Sequence, residues 1–335
     1  MKLSHYLMLG AAAGLLSACA VKATDGATKA EEVSGGLFGL AKADAFEVDT
    51  AGAFKAKQEV IIGGFQVNFL KEKRASNKAG GGLLGGGFGG KSSANMDLVG
   101  VKEAQFVAIT EAAYADFQKQ LSAQGYRVAD RSQLISHEDF SDVSSTPSPK
   151  REESSFFGAD VTQTSVAPKA IGKLYGGGFG FSNYLAASAE FAEEQKTPVL
   201  FVTYTIDFAN KAGGHGGWAS TTSSLEVGQG ISVAAGSGVQ LIGGQMSTFS
   251  SAVGSVKLGQ SISSTETFAE VISTTSDAEA GLETAVNVVG MLGGIGTNQS
   301  RSFDVKADPA KYQAVTTKTL AEANAALVKK MAELR

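Results

Sequence analysis

The chain has 335 residues, 43% of them hydrophobic and 19% charged, a globular balance that excludes wholesale disorder and suits two modest domains or one elaborated one. Against 33 acidic residues stand 29 basic ones, and the formal charge of −4 argues against a nucleic-acid binder or a polybasic membrane-surface protein. The single cysteine excludes an intramolecular disulfide framework and a cysteine-based zinc cluster, while 42 glycines are an excess that needs explaining.

In chain order, Lys2 supplies a small positive region and residues 7–16 form an apolar run. As a helix that run would span about 15 Å, half of a hydrocarbon core of about 30 Å, so an export signal is expected and not a transmembrane anchor. Leu16-Ser17-Ala18-Cys19 resembles the lipobox of bacterial lipoproteins. The resemblance implies that the Cys19 thiol receives a diacylglycerol and that cleavage between Ala18 and Cys19 removes residues 1–18 as a signal peptide. It further implies that the new amine of Cys19 is acylated. One chain binds a bilayer marginally, whereas several give stable anchoring. The alternative is an ordinary secretory signal cleaved near Ser17-Ala18-Cys19-Ala20. Ala20, and not an aspartate, follows Cys19; by the family's sorting rules this implies the outer membrane of a Gram-negative cell. No other stretch reaches 18 apolar residues.

Residues 20–57 show no sustained period and read as a tether from lipidated Cys19, with a short strand near 45–48. Order is expected from residue 58 onward. Ile61, Phe65, Val67 and Phe69 alternate as one face of a strand, followed by a charged hinge at 71–74 and a glycine tract at 80–90. The spacing of Leu98, Val101, Phe106, Ile109, Ala113, Phe117 and Leu121 predicts a helix over 98–123 that Gly125 stops. A short strand is expected at 126–130. Residues 136–182 read as a flexible insertion with one extended piece near 161–166.

A second helix is predicted over 183–195, then a central strand over 199–208 whose first half is apolar on both faces. Residues 220–275 are rich in Ser, Thr and Gly and read as a β elaboration, with a hairpin of 238–242 and 245–258 about Gly243-Gly244. A glycine-interrupted helix over 278–292 and a strand over 301–306 follow. Asp308 is placed as N-cap and Pro309 at the first position of a helix running to Arg335, with Tyr312, Leu320, Ala323, Leu327, Met331 and Leu334 as its buried stripe. The expected fold is α+β (or α/β): one domain over 58–335, three-layer-like, with long amphipathic helices on a mixed sheet.

Few residues offer chemistry. Residues 85–92 fit the G-x-x-x-x-G-K-S pattern of a phosphate loop, but such a loop needs a strand immediately before it and a helix opening at Lys91, and neither is expected. Gly-Gly-Gly-Phe-Gly occurs at 85–89 and 176–180; it reads as biased loop composition, with paired aromatic-bearing loops as the alternative. His215 beside Trp218 and His137 beside Glu138 and Asp139 read as solvated histidines and not as metal ligands. Glu152-Glu153 and Glu193-Glu194 are not spaced for paired acid–base work, and Ala235-Gly236-Ser237-Gly238 misses the Gly-x-Ser-x-Gly of a hydrolase elbow. No catalysis is expected.

Residues 60–134 place a strand, a long amphipathic helix and then Gly125-Tyr126-Arg127-Val128-Ala129-Asp130-Arg131-Ser132-Gln133-Leu134 behind the lipobox. This passage resembles the periplasmic domain of curli-secretion-channel lipoproteins, and it implies subunits of an outer-membrane ring that contribute amphipathic hairpins. Over 245–258 the alternate residues are only weakly apolar, so a soluble sheet edge is expected there and not a membrane strand. The expected protein is a non-catalytic outer-membrane lipoprotein facing the periplasm and binding envelope protein partners. It carries diacylglycerol and an N-acyl lipid on Cys19 and is expected to take no other cofactor, metal, nucleotide or nucleic acid. A homo-oligomeric export pore is the alternative, and an anchored hydrolase the third reading.

Overall fold

The computed structural model describes residues 19–24, 26–35, 41–78, 90–156, 159–175, 183–213, 223–244, 252–276 and 297–335. The first part of the chain forms β1 (Cys19–Thr24), β2 (Ser34–Gly35), β3 (Ala41–Lys42), β4 (Phe46–Asp49), β5 (Glu59–Lys78), β6 (Gly90–Val99) and α1 (Glu103–Ala123). The middle forms β7 (Arg127–Val128), α2 (Ser132–Ile135), α3 (Glu138–Ser141), β8 (Thr146–Pro147), β9 (Lys150–Phe156), β10 (Ala159–Val166), β11 (Lys173–Leu174) and α4 (Asn183–Gln195). There follow β12 (Val199–Gly213), β13 (Ser223–Val233), β14 (Gly238–Ile242), β15 (Val253–Leu258), β16 (Ile262–Ser263), β17 (Ala269–Ser273), β18 (Thr297–Ala307) and α5 (Pro309–Leu334). The class is α+β: long helices on one large mixed sheet.

The first half of β5 pairs parallel with β12 along Ile61–Phe69 and antiparallel with β10 on its other edge. Parallel pairing requires cover on both faces, which the run of apolar residues on both strands provides. On one face Phe65 meets Tyr114, Phe117 and Tyr204 at centroid distances of 5.3, 5.8 and 5.7 Å, and Phe69 stacks on Phe106 at 4.4 Å. Three residues before Tyr204, and so on the opposite face, Phe201 meets Tyr184 of α4 at 4.4 Å. Gly63 and Gly64 admit that ring: a Cβ on Gly63 would sit 2.5 Å from Val199 Cγ1, and one on Gly64 2.6 Å from Phe201 Cδ1. The β5–β12 register shifts at this point.

Helices α1 and α5 lie side by side on the Phe65 face. Asn324 of α5 fastens them: it accepts from the Tyr204 hydroxyl (2.6 Å) and donates to the Ala113 carbonyl (2.9 Å) and to Asp116 (2.8 Å). Asp308 caps α5 by accepting from the backbone N–H of Ala310 and Lys311, with Pro309 at the first position as expected. The expected start of α1 moves from 98 to Glu103, because Leu98 belongs to β6. Gly100 breaks the two elements apart at φ +90°, where a Cβ would meet the Ala307 carbonyl at 2.8 Å.

At Glu72 and Lys73 the sheet forks. Both residues pair with β10 on one edge and with β6 on the other, which β12 has just left. Beyond the fork, β5 continues with β6, β18 and β17 as one arm, and β12 continues with β13, β1 and β16 as the other. The arms are bridged: Asn77 Nδ2 donates to the Ser224 carbonyl (2.7 Å), and the Ser92 and Ser223 hydroxyls are 2.9 Å apart.

Three expectations are corrected. The segment 20–57 is not a free tether, since β1 pairs parallel with β13 from Cys19 and β4 closes the far edge of the sheet beside β15. Between those strands, Thr28 N–H donates to the Gln229 carbonyl (2.8 Å), Asn210 Nδ2 to the Thr28 carbonyl (2.9 Å), and Val33 N–H to Gln260 (2.8 Å). Such a segment has no period of its own because it is held by backbone bonds to distant strands and not by an apolar stripe. The expected insertion at 136–182 is likewise folded: α3 lies within it, and the β9–β10 hairpin extends the sheet from β5. Third, β15 is an interior strand between β14 and β4 and not a sheet edge, with Val256 and Leu258 buried. Residues 245–251 of that expected strand and the expected helix at 278–292 lie outside the described residues.

Candidate functional site at the Cys19 end of the sheet

Cys19 is the first residue of β1, and its backbone partner is Ser223, the first residue of β13. Residues of β5, β6 and β18 lie close to the same level. Lys78, the last residue of β5, pairs with Lys91 of β6, and Gly90 of β6 pairs with Thr297 of β18. The bridges from Asn77 to Ser224 and from Ser92 to Ser223 set these ends beside Cys19. Residues 79–89, 214–222 and 277–296 lie outside the described residues. So do Ala18 and the rest of the lipobox, both Gly-Gly-Gly-Phe-Gly repeats, His215 and Trp218.

Where the arms part, Glu31, Lys73, Arg74, Asp207, Asn210 and Lys211 line a cleft of about 370 Å³. Lys73 Nζ pairs with Asp207 and donates to the Ala209 carbonyl (2.8 Å), and the two side chains are only 17% and 6% exposed. Charges so buried are held only when paired and hydrogen-bonded, so this contact fixes the angle of the fork. Lys211 meets Glu31 at 2.9 Å at the cleft mouth, tying β12 to the N-terminal segment.

At the other end of the molecule, His137 Nε2 lies 3.1 Å from Glu194 and its Nδ1 3.4 Å from Asp139. The ring stands edge-on to Phe191 at 5.3 Å. Repulsion from Asp139, together with a hydrogen bond between the two carboxyls, holds the Glu190 carboxyl above the ordinary glutamate range. His137, Asp139 and Glu194 are the three side chains whose ligand atoms lie close enough to hold a cation among the described residues. Sequence reading set His137 with Asp139 but not with Glu194, 57 residues away; only the packing of α4 on α3 joins them.

The remaining candidates resolve into structure. Lys91 and Ser92 lie on β6, an extended strand paired on both edges, so no helix opens at Lys91 and the phosphate-loop pattern there is accidental. Ser237 is buried and its hydroxyl accepts from the Thr205 backbone N–H (3.0 Å). Glu152 sits on β9, taking Lys150 at 2.7 Å and Gln163 at 3.1 Å, and Glu153 points to the other face of that strand. Among the described residues no helix is long and apolar enough to cross a membrane. Compared with known protein families, with curated proteins and with solved structures, the chain matches none.

Proposed function

We propose that the chain is a non-catalytic lipoprotein, anchored through diacylglycerol and an N-acyl chain on Cys19 in the outer membrane. Its folded part faces the periplasm and binds protein partners in envelope assembly or maintenance. The observation that carries this reading is the lipobox Leu16-Ser17-Ala18-Cys19, with the only cysteine of the chain at the position where the motif requires it. The fold is compatible with processing there, since cleavage after Ala18 leaves the pairing of Cys19 with Ser223 intact. N-acylation would leave a neutral amide N–H where the peptide bond had been. The non-catalytic reading is supported by Ser237, buried and bonded to the Thr205 backbone N–H, by Glu152, paired with Lys150, and by Lys91 and Ser92, which lie on a strand and not at a helix start.

Cells grown with radiolabelled palmitate are expected to label the protein, and globomycin is expected to accumulate the uncleaved precursor. A mature chain without lipid at Cys19 would overturn the anchor. The second reading, a subunit of an oligomeric export pore, is favoured by one observation: β5–β6 and β12–β13 run past the helix layer. Size in mild detergent separates the two. A monomer that becomes soluble on Cys19→Ala supports the adaptor, and a ring that stays in the membrane without its lipid supports the pore.

A further inference from the structure

We propose that His137, Asp139 and Glu194 form a binding site for a divalent transition-metal ion of the zinc type, which clamps α3 to α4. The inference stands apart from the lipid anchor proposed above, and neither depends on the other.

The first argument is geometry. The imidazole of His137 offers one nitrogen, Asp139 and Glu194 one oxygen each, and these three atoms lie within 4.8 Å of one another. Around a zinc ion with bonds of about 2.0–2.1 Å, ligand atoms stand about 3.3 Å apart, so the site closes with side-chain shifts of about 1 Å. The Asp139 and Glu194 side chains are 39% and 62% exposed and have room to move. The ring is only 13% exposed and is held edge-on against Phe191 at 5.3 Å. Its backbone is fixed as well, since the His137 carbonyl accepts from the N–H groups of Phe140 (3.1 Å) and Ser141 (3.0 Å). Glu190 stands one turn before Glu194 on α4 and is hydrogen-bonded to Asp139, which puts a further carboxyl beside the site. An ion thus enters from solvent onto an imidazole already in place.

The second argument is electrostatic. A neutral imidazole donates from one nitrogen and carries a bare lone pair on the other, and ionised carboxylates only accept. His137 Nε2 lies 3.1 Å from Glu194 and Nδ1 3.4 Å from Asp139. Whichever nitrogen holds the proton, the other faces a carboxylate with its lone pair. Moreover, Nδ1 is cut off from solvent and makes no hydrogen bond. A buried polar atom without a partner is costly, and a cation between ring and carboxylates removes the conflict. No side chain supplies that charge. Among the described residues Asp139, Glu190 and Glu194 pair with no lysine or arginine, and Lys196, two residues past Glu194, is in no ion pair. The donor set selects the ion: an imidazole nitrogen with carboxylate oxygens suits zinc and its transition-metal neighbours, whereas calcium and magnesium take oxygen ligands.

The untagged full chain, purified in mild detergent and stripped of metal with EDTA, allows a direct test. Isothermal titration with zinc chloride at about pH 7.5 should show a single site. His137→Gln should weaken it by at least about tenfold, as losses even around the outer shell of a metal do. Glu194→Gln, an exposed change that takes nothing from the core, should do the same. His215→Gln, which alters the other histidine outside the signal segment, should leave the affinity unchanged. Magnesium in about a thousandfold excess should not displace the zinc. Zinc should also raise the melting temperature of the unaltered chain but not that of His137→Gln, because an ion that binds only the folded state stabilises it. The proposal is overturned if zinc does not bind, or if His137→Gln and Glu194→Gln bind it as tightly as the unaltered chain. It is overturned equally if His215→Gln weakens binding as much as His137→Gln does, or if magnesium displaces the ion at equal concentration.

Discussion

From Val60 to Leu70, β5 buries every side chain but that of Gln66, whereas from Lys71 to Lys78 alternate residues of the same strand reach solvent. The first stretch lies between two layers of helices, and its neighbours Phe65, Phe69, Tyr204 and Phe117 form one aromatic cluster. The second stretch belongs to an arm covered on one side, and its links to the facing arm are polar: Asn77 to Ser224, Ser92 to Ser223, Lys73 to Asp207. One half is thus held mainly by burial, and the other by burial of residues such as Met96, Leu225 and Val227 together with matched polar partners. Burial is additive and tolerant, while a polar bridge costs most when one partner is left behind.

The comparison can be broken at its sharpest points. In the aromatic half, Phe65→Ala should lower stability by about 3–5 kcal/mol in chemical denaturation, through lost transfer energy and the cavity left. In the polar half, Lys73→Met should lower it by a similar 3–5 kcal/mol, since it leaves the Asp207 carboxylate buried without its partner; Lys73→Met with Asp207→Leu should recover most of that loss. A loss below 1 kcal/mol in Lys73→Met would mean that water already solvates the fork.

A smaller effect is expected where the N-terminal segment crosses β13. A Cβ on Gly230 would lie 2.1 Å from the Thr28 carbonyl, a backbone atom with little room to move. Gly230→Ala should therefore destabilise by about 1–3 kcal/mol. Limited proteolysis should then cut within 24–33 before it cuts the helices; simultaneous cutting would show that the two halves unfold as one.

The smallest effect concerns pH. Burial, and then the carboxylates of Glu72 and Asp304, raise the Asp97 pKa above its ordinary 3.8. The folded state thus holds that proton more tightly than the unfolded chain does. Ionised Asp97 opposes folding above the raised value, and the penalty fades as pH falls and vanishes below 3.8. Asp97→Asn should raise stability at pH 7 by no more than about 0.5 kcal/mol at so solvated a site, with the gain gone by about pH 3.5 in thermal melts.

Much of the helix-covered half was legible in the residues. Helix α4, the start of β12 and the capped α5 lie where period, cap and proline place them, because those signals act within a few residues. The polar half was nearly invisible. Strand β6, Gly-Lys-Ser-Ser-Ala-Asn-Met-Asp-Leu-Val, has little β propensity, and β1 gives no strand signal of its own. Both are strands because partners far along the chain, β18 and β13, supply their ladders.

The motif about Cys19 is a local pattern that an enzyme can read on an extended chain, so the sequence alone determines where the proposed lipid would be attached. Where that residue stands relative to the rest of the molecule depends on the pairing of Cys19 with Ser223, across some two hundred residues. The same holds for the juxtaposition of Lys78 with Lys91 and of His137 with Glu194, since contacts between distant segments leave no period in either one. Tertiary structure alone turned an apparent tether into the first strand of a sheet.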